Sequence, residues 1–164
     1  MDAILDFLLI SSLKLSIIIS SSILSDDADL VLKKSNSIGV PVNSSKLKSY
    51  RALPEALKEV LERIPANAHP MDVMRTGCSM LGNLEPEGDF SNQNETADRI
   101  MASFASIVTY WYRFSHDGVR VDTETDHETI GGQFLSLLTG NEPSEDQSRA
   151  LDVSLILYAE HGFN

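Results

Sequence analysis

The hydrophobic and polar positions divide the chain near residue 45. The stretch from Ala3 to Leu24 reads AILDFLLISSLKLSIIISSSIL and is rich in Ile, Leu and Ser. It has the length of a membrane span, which needs about 20 mostly apolar residues. Asp6, Lys14 and six serines dilute it. The chain also starts Met1-Asp2, without the basic opening of a secretory signal. Three readings stay open: membrane contact by residues 3–24, a buried helix or strand pair, or translated sequence foreign to the fold. Residues 25–45 carry Asp26-Asp27, Lys33-Lys34, Gly39 and Pro41 and read as an irregular linker.

Beyond residue 45 the pattern is helical. Leu53, Leu57, Val60, Leu61 and Ile64 recur at helical spacing after Pro54, and Pro65 is expected to end the run. Pro70 opens a second helix, with Met71, Met74, Cys78 and Leu81 as its apolar stripe and Gly82 as its stop. The polar stretch 85–94 predicts a loop, and Asn92 with Glu95 a capping box. From Ala97 to Gly118, Ile100, Phe104, Ile107, Val108, Trp111 and Phe114 mark one side of a helix, while Met101, Ala105 and Tyr112 fill much of the other. A helix apolar nearly all round is buried on most sides, so more protein is expected around it than this chain supplies. An acidic loop follows over 119–129. Ile130, Phe134, Leu137 and Leu138 then predict a short helix stopped by Gly140. Ser144 with Gln147 predicts a second capping box, before a last helix holding Leu151, Leu155, Ile156, Tyr158 and Ala159. No alternating strand pattern follows residue 45, and the fold class is all-α. The expected division is an atypical segment, 1–45, and a helical domain, 46–164.

Charge and chemistry narrow the function classes. The formal net charge is −11, with 24 acidic and 13 basic residues. No Lys/Arg cluster offers the basic face that phosphate backbones require, so nucleic acid is not an expected partner. A few local cations can still bind an anionic substrate in an acidic protein. The single cysteine, Cys78, reads as a small apolar residue. The four histidines, His69, His116, His127 and His161, have no zinc-ligand spacing, and no metal site is expected. No phosphate loop or nucleophile elbow occurs.

Four segments, in order, carry a family resemblance: HPMDVMRTGCSMLGNLEPE (69–87), YWYRFSHDG (110–118), ETIGGQFLSLLTGNEPS (128–144) and LILYAEHGFN (155–164). In order and spacing they resemble the citrate synthase family, and the second half of the first segment together with YWYRFSH is most similar to the bacterial 2-methylcitrate synthases. The resemblance implies part of a large helical domain. It also implies condensation of oxaloacetate with an acyl-CoA, propionyl-CoA in the 2-methylcitrate branch and acetyl-CoA in citrate synthases proper. The acyl-CoA is a substrate, and no cofactor is implied. A homodimer and a cytoplasmic location go with it. In such an enzyme a carboxylate removes the proton beside the thioester carbonyl and a histidine hydrogen-bonds the enol oxygen. The family's catalytic histidines and aspartate lie downstream of the AEHxxN segment. No catalytic residue is therefore assigned within 1–164, and the chain alone is expected to be inactive. Before residue 46 the resemblance lapses, and a frameshifted or misassigned beginning is expected.

The resemblance carries two substrate contacts onto this chain: His161 matches the histidine that touches oxaloacetate, and Asn164 the asparagine just beyond it. By residue pattern alone, His161 could equally meet helix carbonyls. His69 reads as a helix cap, Arg75 as an ion-pair partner, His116 and Asp117 as helix-exit residues, and His127 as a solvated loop residue. The cluster Tyr110-Trp111-Tyr112 reads as core or subunit interface.

Overall fold

Pro54 shows how these helices begin. Its φ of −57° and ψ of 142° are pre-set for helix entry, and its carbonyl accepts from the N–H groups of Leu57 and Lys58. In the computed structural model, which describes residues 44–86 and 88–159, six α-helices form and no strand occurs among the described residues. They are α1 (Ser44–Ser49), α2 (Glu55–Leu61), α3 (Pro70–Leu84), α4 (Gln93–Asp117), α5 (Ile130–Thr139) and α6 (Glu145–Ala159), with a 3₁₀ turn at Phe90–Asn92 before α4. The all-α expectation holds. Residues 3–24 lie outside the described residues, and among the described residues no helix is long and apolar enough to cross a membrane.

Helix α4 is the axle. Helices α1, α2, α3 and α5 all pack on it, and α6 packs on α5. Every residue from Ala102 to Trp111 is buried. The expectation of an uncovered apolar helix therefore fails over its centre. Gly77, Ser103, Ser106 and Ala105 keep side chains small there, so neighbouring helices come close on several sides. The serine and threonine hydroxyls are satisfied: Ser103 Oγ donates to the Arg99 carbonyl (2.8 Å), and Thr109 Oγ1 to that of Ala105 (2.6 Å). Leu57, Leu61, Val73, Met74, Ile107 and Val108 are fully sealed in one cluster with Phe104, Tyr110, Trp111, Phe134 and Leu151. Each large side chain so buried contributes about 1.5–3 kcal/mol. Trp111, the only tryptophan, is 2% exposed, and its Nε1–H donates to the Ile64 carbonyl at 3.4 Å.

Several boundaries differ from the sequence pattern. Helix α2 stops at Leu61 rather than at Pro65, because the N–H groups of Arg63 and Ile64 bond the carbonyls three residues back, of Val60 and Leu61, and so form tight turns in place of helix. Helix α3 runs past Gly82 to Leu84, and its buried stripe is Val73, Met74, Gly77 and Leu81, with Met71 and Cys78 only half-buried. Gly77 is the reason for this rotation: a Cβ there would lie 2.7 Å from Ile107 Cγ2, so α3 and α4 touch through a missing side chain. The Asn92–Glu95 capping box does not form. Asn92 makes no side-chain cap bond, and Glu95 instead accepts from the Tyr50 hydroxyl at 3.0 Å. The later signals hold. Gly140, at φ 72°, ends α5 with its N–H on the Ser136 carbonyl. Ser144 and Gln147 form a reciprocal box, with N–H to Oε1 at 2.9 Å and N–H to Oγ at 3.2 Å.

Candidate functional site

The two residues expected to touch substrate, His161 and Asn164, lie outside the described residues. What the structure describes is the scaffold that leads to them, α6 and the helix beneath it. Thr129 caps α5 by accepting the Gly132 N–H at 3.0 Å. The next free donor of that helix end, the Gly131 N–H, is taken by the Asp152 carboxylate of α6 at 2.8 Å. Lower in α5, Gln133 is 1% exposed and donates from Nε2 to Ser106 Oγ on α4 at 3.1 Å. The axle α4, then α5, then α6 are thus joined by polar contacts as well as by Phe134, Leu138 and Leu151.

The other histidines serve the fold. His69 Nδ1 accepts from the Met71 N–H at 3.1 Å, capping α3 as expected. His116 stacks on Tyr112, with ring centroids 4.3 Å apart, at the exit of α4. His127 departs from its expected solvated state: its side chain is 17% exposed, with Nδ1 3.5 Å from a Glu142 carboxylate oxygen, and its carbonyl accepts from Arg51. Arg75 pairs with Asp72 one turn back, as expected.

Several cations of the described residues bond within the chain itself. Arg51 is 2% exposed, and its Nη1 donates to the carbonyls of Thr125 (3.0 Å) and His127 (2.7 Å); burial lowers its pKa from the usual arginine range, partly offset by Glu128 and Asp126. Arg99 lines a polar cleft of about 190 Å³ with Glu85, Pro86, Asn92, Glu95 and Thr96, but its guanidinium is bound to the Glu85 carboxylate and carbonyl. Arg113 holds Asp117 at 3.0 Å. Tyr110 donates to Glu62 at 2.7 Å, and Glu62 also accepts from Arg120 at 2.8 Å. Burial first, and then Glu62, push the Tyr110 phenol up. The same bond, with Arg120 adding to it, holds the Glu62 carboxyl below the usual carboxylate range. Among the described residues, no group of three or more histidines, cysteines or carboxylates is placed to hold a metal.

The described helices make an all-α scaffold. Residues 40–164 match the family model described as the citrate synthase C-terminal domain, and the chain belongs to the citrate synthase family. It is 69% identical over 120 residues to a 2-methylcitrate synthase of Shewanella oneidensis, covering 73% of this chain and 32% of that protein. It is 43% identical over 136 residues to a citrate synthase-related protein of Dictyostelium discoideum (72% and 33% covered). With the citrate synthase of Deinococcus radiodurans it shares 36% over 123 residues (73% and 32%). The chain spans about a third of the length of these curated relatives.

Sequence reasoning did not single out Asp152, Gln133 or Arg51. A carboxylate midway along an amphipathic helix looks like any solvated charge, and only the pairing of α5 with α6 reveals its partner. The Gly131-Gly132 pair was the available signal, since paired glycines at a helix start mark a close approach.

Proposed function

We propose that this chain is part of a 2-methylcitrate synthase, which condenses oxaloacetate with propionyl-CoA and releases CoA. The observation that carries this reading is the 69% identity to the Shewanella oneidensis 2-methylcitrate synthase over 120 residues. Within the proposal, His161 donates a hydrogen bond to an oxaloacetate oxygen and Asn164 adds a second polar contact. Neutral imidazole can donate from one ring nitrogen while the other is held by the protein, which suits recognition of a carboxylate or ketone. The described helices supply rigidity, the enolising acid and base come from outside residues 1–164, and a homodimer in the cytoplasm belongs to the same reading.

A thiol-release assay tests it. The 164-residue chain alone, given oxaloacetate with propionyl-CoA or acetyl-CoA, is expected to release no thiol. Combined with the remainder of a 2-methylcitrate synthase, it is expected to release CoA faster from propionyl-CoA than from acetyl-CoA. The reverse preference would move the reading to citrate synthase. Release by the chain alone would place the chemistry on other residues, His161 first among them.

A further inference from the structure

The chain has one Asp-Gly step, Asp117-Gly118, and no Asn-Gly step. At such a step a carboxyl side chain sits beside a backbone nitrogen that no neighbouring side chain shields. This one falls at the corner where α4 ends. Gly118 has φ 69°, its N–H donates to the Phe114 carbonyl at 3.0 Å, and the Val119 N–H donates to that of Arg113 at 3.2 Å. The Asp117 side chain is 43% exposed and is held by Arg113 Nη1 at 3.0 Å. Arg113 is itself anchored on the neighbouring helix. The same nitrogen donates to the Leu138 carbonyl at 3.4 Å, and a Cβ on Gly140 would lie 3.3 Å from Nη2. The step is thus open to water on one side and latched to the end of α5 on the other.

We propose that Asp117-Gly118 is a site of spontaneous isomerisation to isoaspartate, and that Arg113 is the latch that keeps the reaction slow in the folded chain. The Gly118 nitrogen gives up its proton and bonds to the Asp117 carboxyl carbon, and the carboxyl loses an oxygen as water. Water then opens the succinimide at either carbonyl, returning aspartate or leaving isoaspartate. Nothing is oxidised or reduced, and the net mass is unchanged. Ring closure needs the Gly118 nitrogen and the Asp117 Cβ on the same side of the Cα–C bond. Helical backbone, with ψ of about −42°, holds them apart. The bond to Phe114 engages the Gly118 N–H, and Arg113 draws the carboxylate back over its own helix. All three restraints come undone when the last turn of α4 frays. The product routes the backbone through the side chain, which puts the two cap bonds out of register and redirects the loop that follows.

Incubation of the 164-residue chain near neutral pH, with peptide mapping for isoaspartate at position 117, tests both parts. The product is expected to form about tenfold faster in urea than in the folded chain, the scale of two cap bonds. Arg113→Gln is expected to raise the folded rate about twofold, the scale of an i,i+4 ion pair, and to leave the rate in urea unchanged. Arg113→Lys keeps a cation within reach of Asp117 and is expected to stay near the rate of the unaltered chain. Gly77→Ala loosens the core but not this corner, and is expected to leave the folded rate unchanged. No isoaspartate at 117 even in urea overturns the site. Equal rates in the folded chain and in urea, no acceleration by Arg113→Gln, or no rescue by Arg113→Lys overturns the latch. Equal acceleration by Gly77→Ala and Arg113→Gln places the reaction in global unfolding and overturns the latch as well.

Discussion

Two glycines in one helix carry opposite requirements. Gly77 faces Ile107 at a distance no Cβ tolerates, whereas Gly82 has open space around it. Gly77→Ala is expected to destabilise by about 1–3 kcal/mol through overpacking, because the β-branched Ile107 methyl cannot swing away. Gly82→Ala is expected to stabilise by about 0.5–1 kcal/mol, since alanine is the better helix former. Urea unfolding of the two variants checks both signs. Glu62 gives a pH dependence. Its carboxyl sits below the usual range in the folded chain, held by Tyr110 and then Arg120. The unfolded chain therefore takes up the proton first on acidification. Stability from Glu62 is full above the usual carboxylate range and is lost as pH falls through that range toward the depressed folded value. Thermal melts of Glu62→Gln against pH are expected to show a flatter acid limb than those of the unmodified chain.

At the scale of elements, caps decide where helices start and stop. Ser144→Ala removes a bond that closes the first turn of α6 and is expected to cost about 1 kcal/mol. Asn92→Ala removes no cap bond and is expected to cost far less, although the same motif precedes both helices; chemical denaturation of the pair separates them. The contrast shows what the chain made legible. Helix identities, the Gly140 stop, the His69 cap and the Ser144–Gln147 box followed from local chemistry and could be read from neighbouring residues. The face of α3 and the failed box at Asn92 could not, because each depends on a residue distant in sequence. Glu95 is drawn to Tyr50 rather than to its own helix end, and Gly77 is a contact residue that no hydrophobic count includes. For the candidate site, the family resemblance named His161 and Asn164, which lie outside the described residues, while the Asp152–Gly131 bond between α5 and α6 needed the fold.

Across the whole molecule, the loop between α4 and α5 is exposed over much of its length yet tied down at several points. Arg51 reaches the Thr125 and His127 carbonyls, Thr123 Oγ1 accepts the Leu53 N–H at 3.2 Å, and Lys48 meets Glu128 at 2.6 Å. The junction of α1 and α2 thus holds a segment some 70 residues on. Arg51→Ala strands two carbonyls and is expected to cost about 3 kcal/mol and to speed limited proteolysis within 119–128. Arg51→Lys is expected to restore little, since one ammonium lacks the guanidinium's reach and fixed geometry. The buried indole of Trp111 has a practical consequence. It is the chain's only tryptophan, and it sits where α4 meets the turn after α2, tied to Ile64. Its fluorescence therefore comes from a single place, the centre of the helical assembly. Emission that stays blue-shifted will report that α2 and α4 remain joined, and a shift to the red will mark water reaching the core, with no added dye.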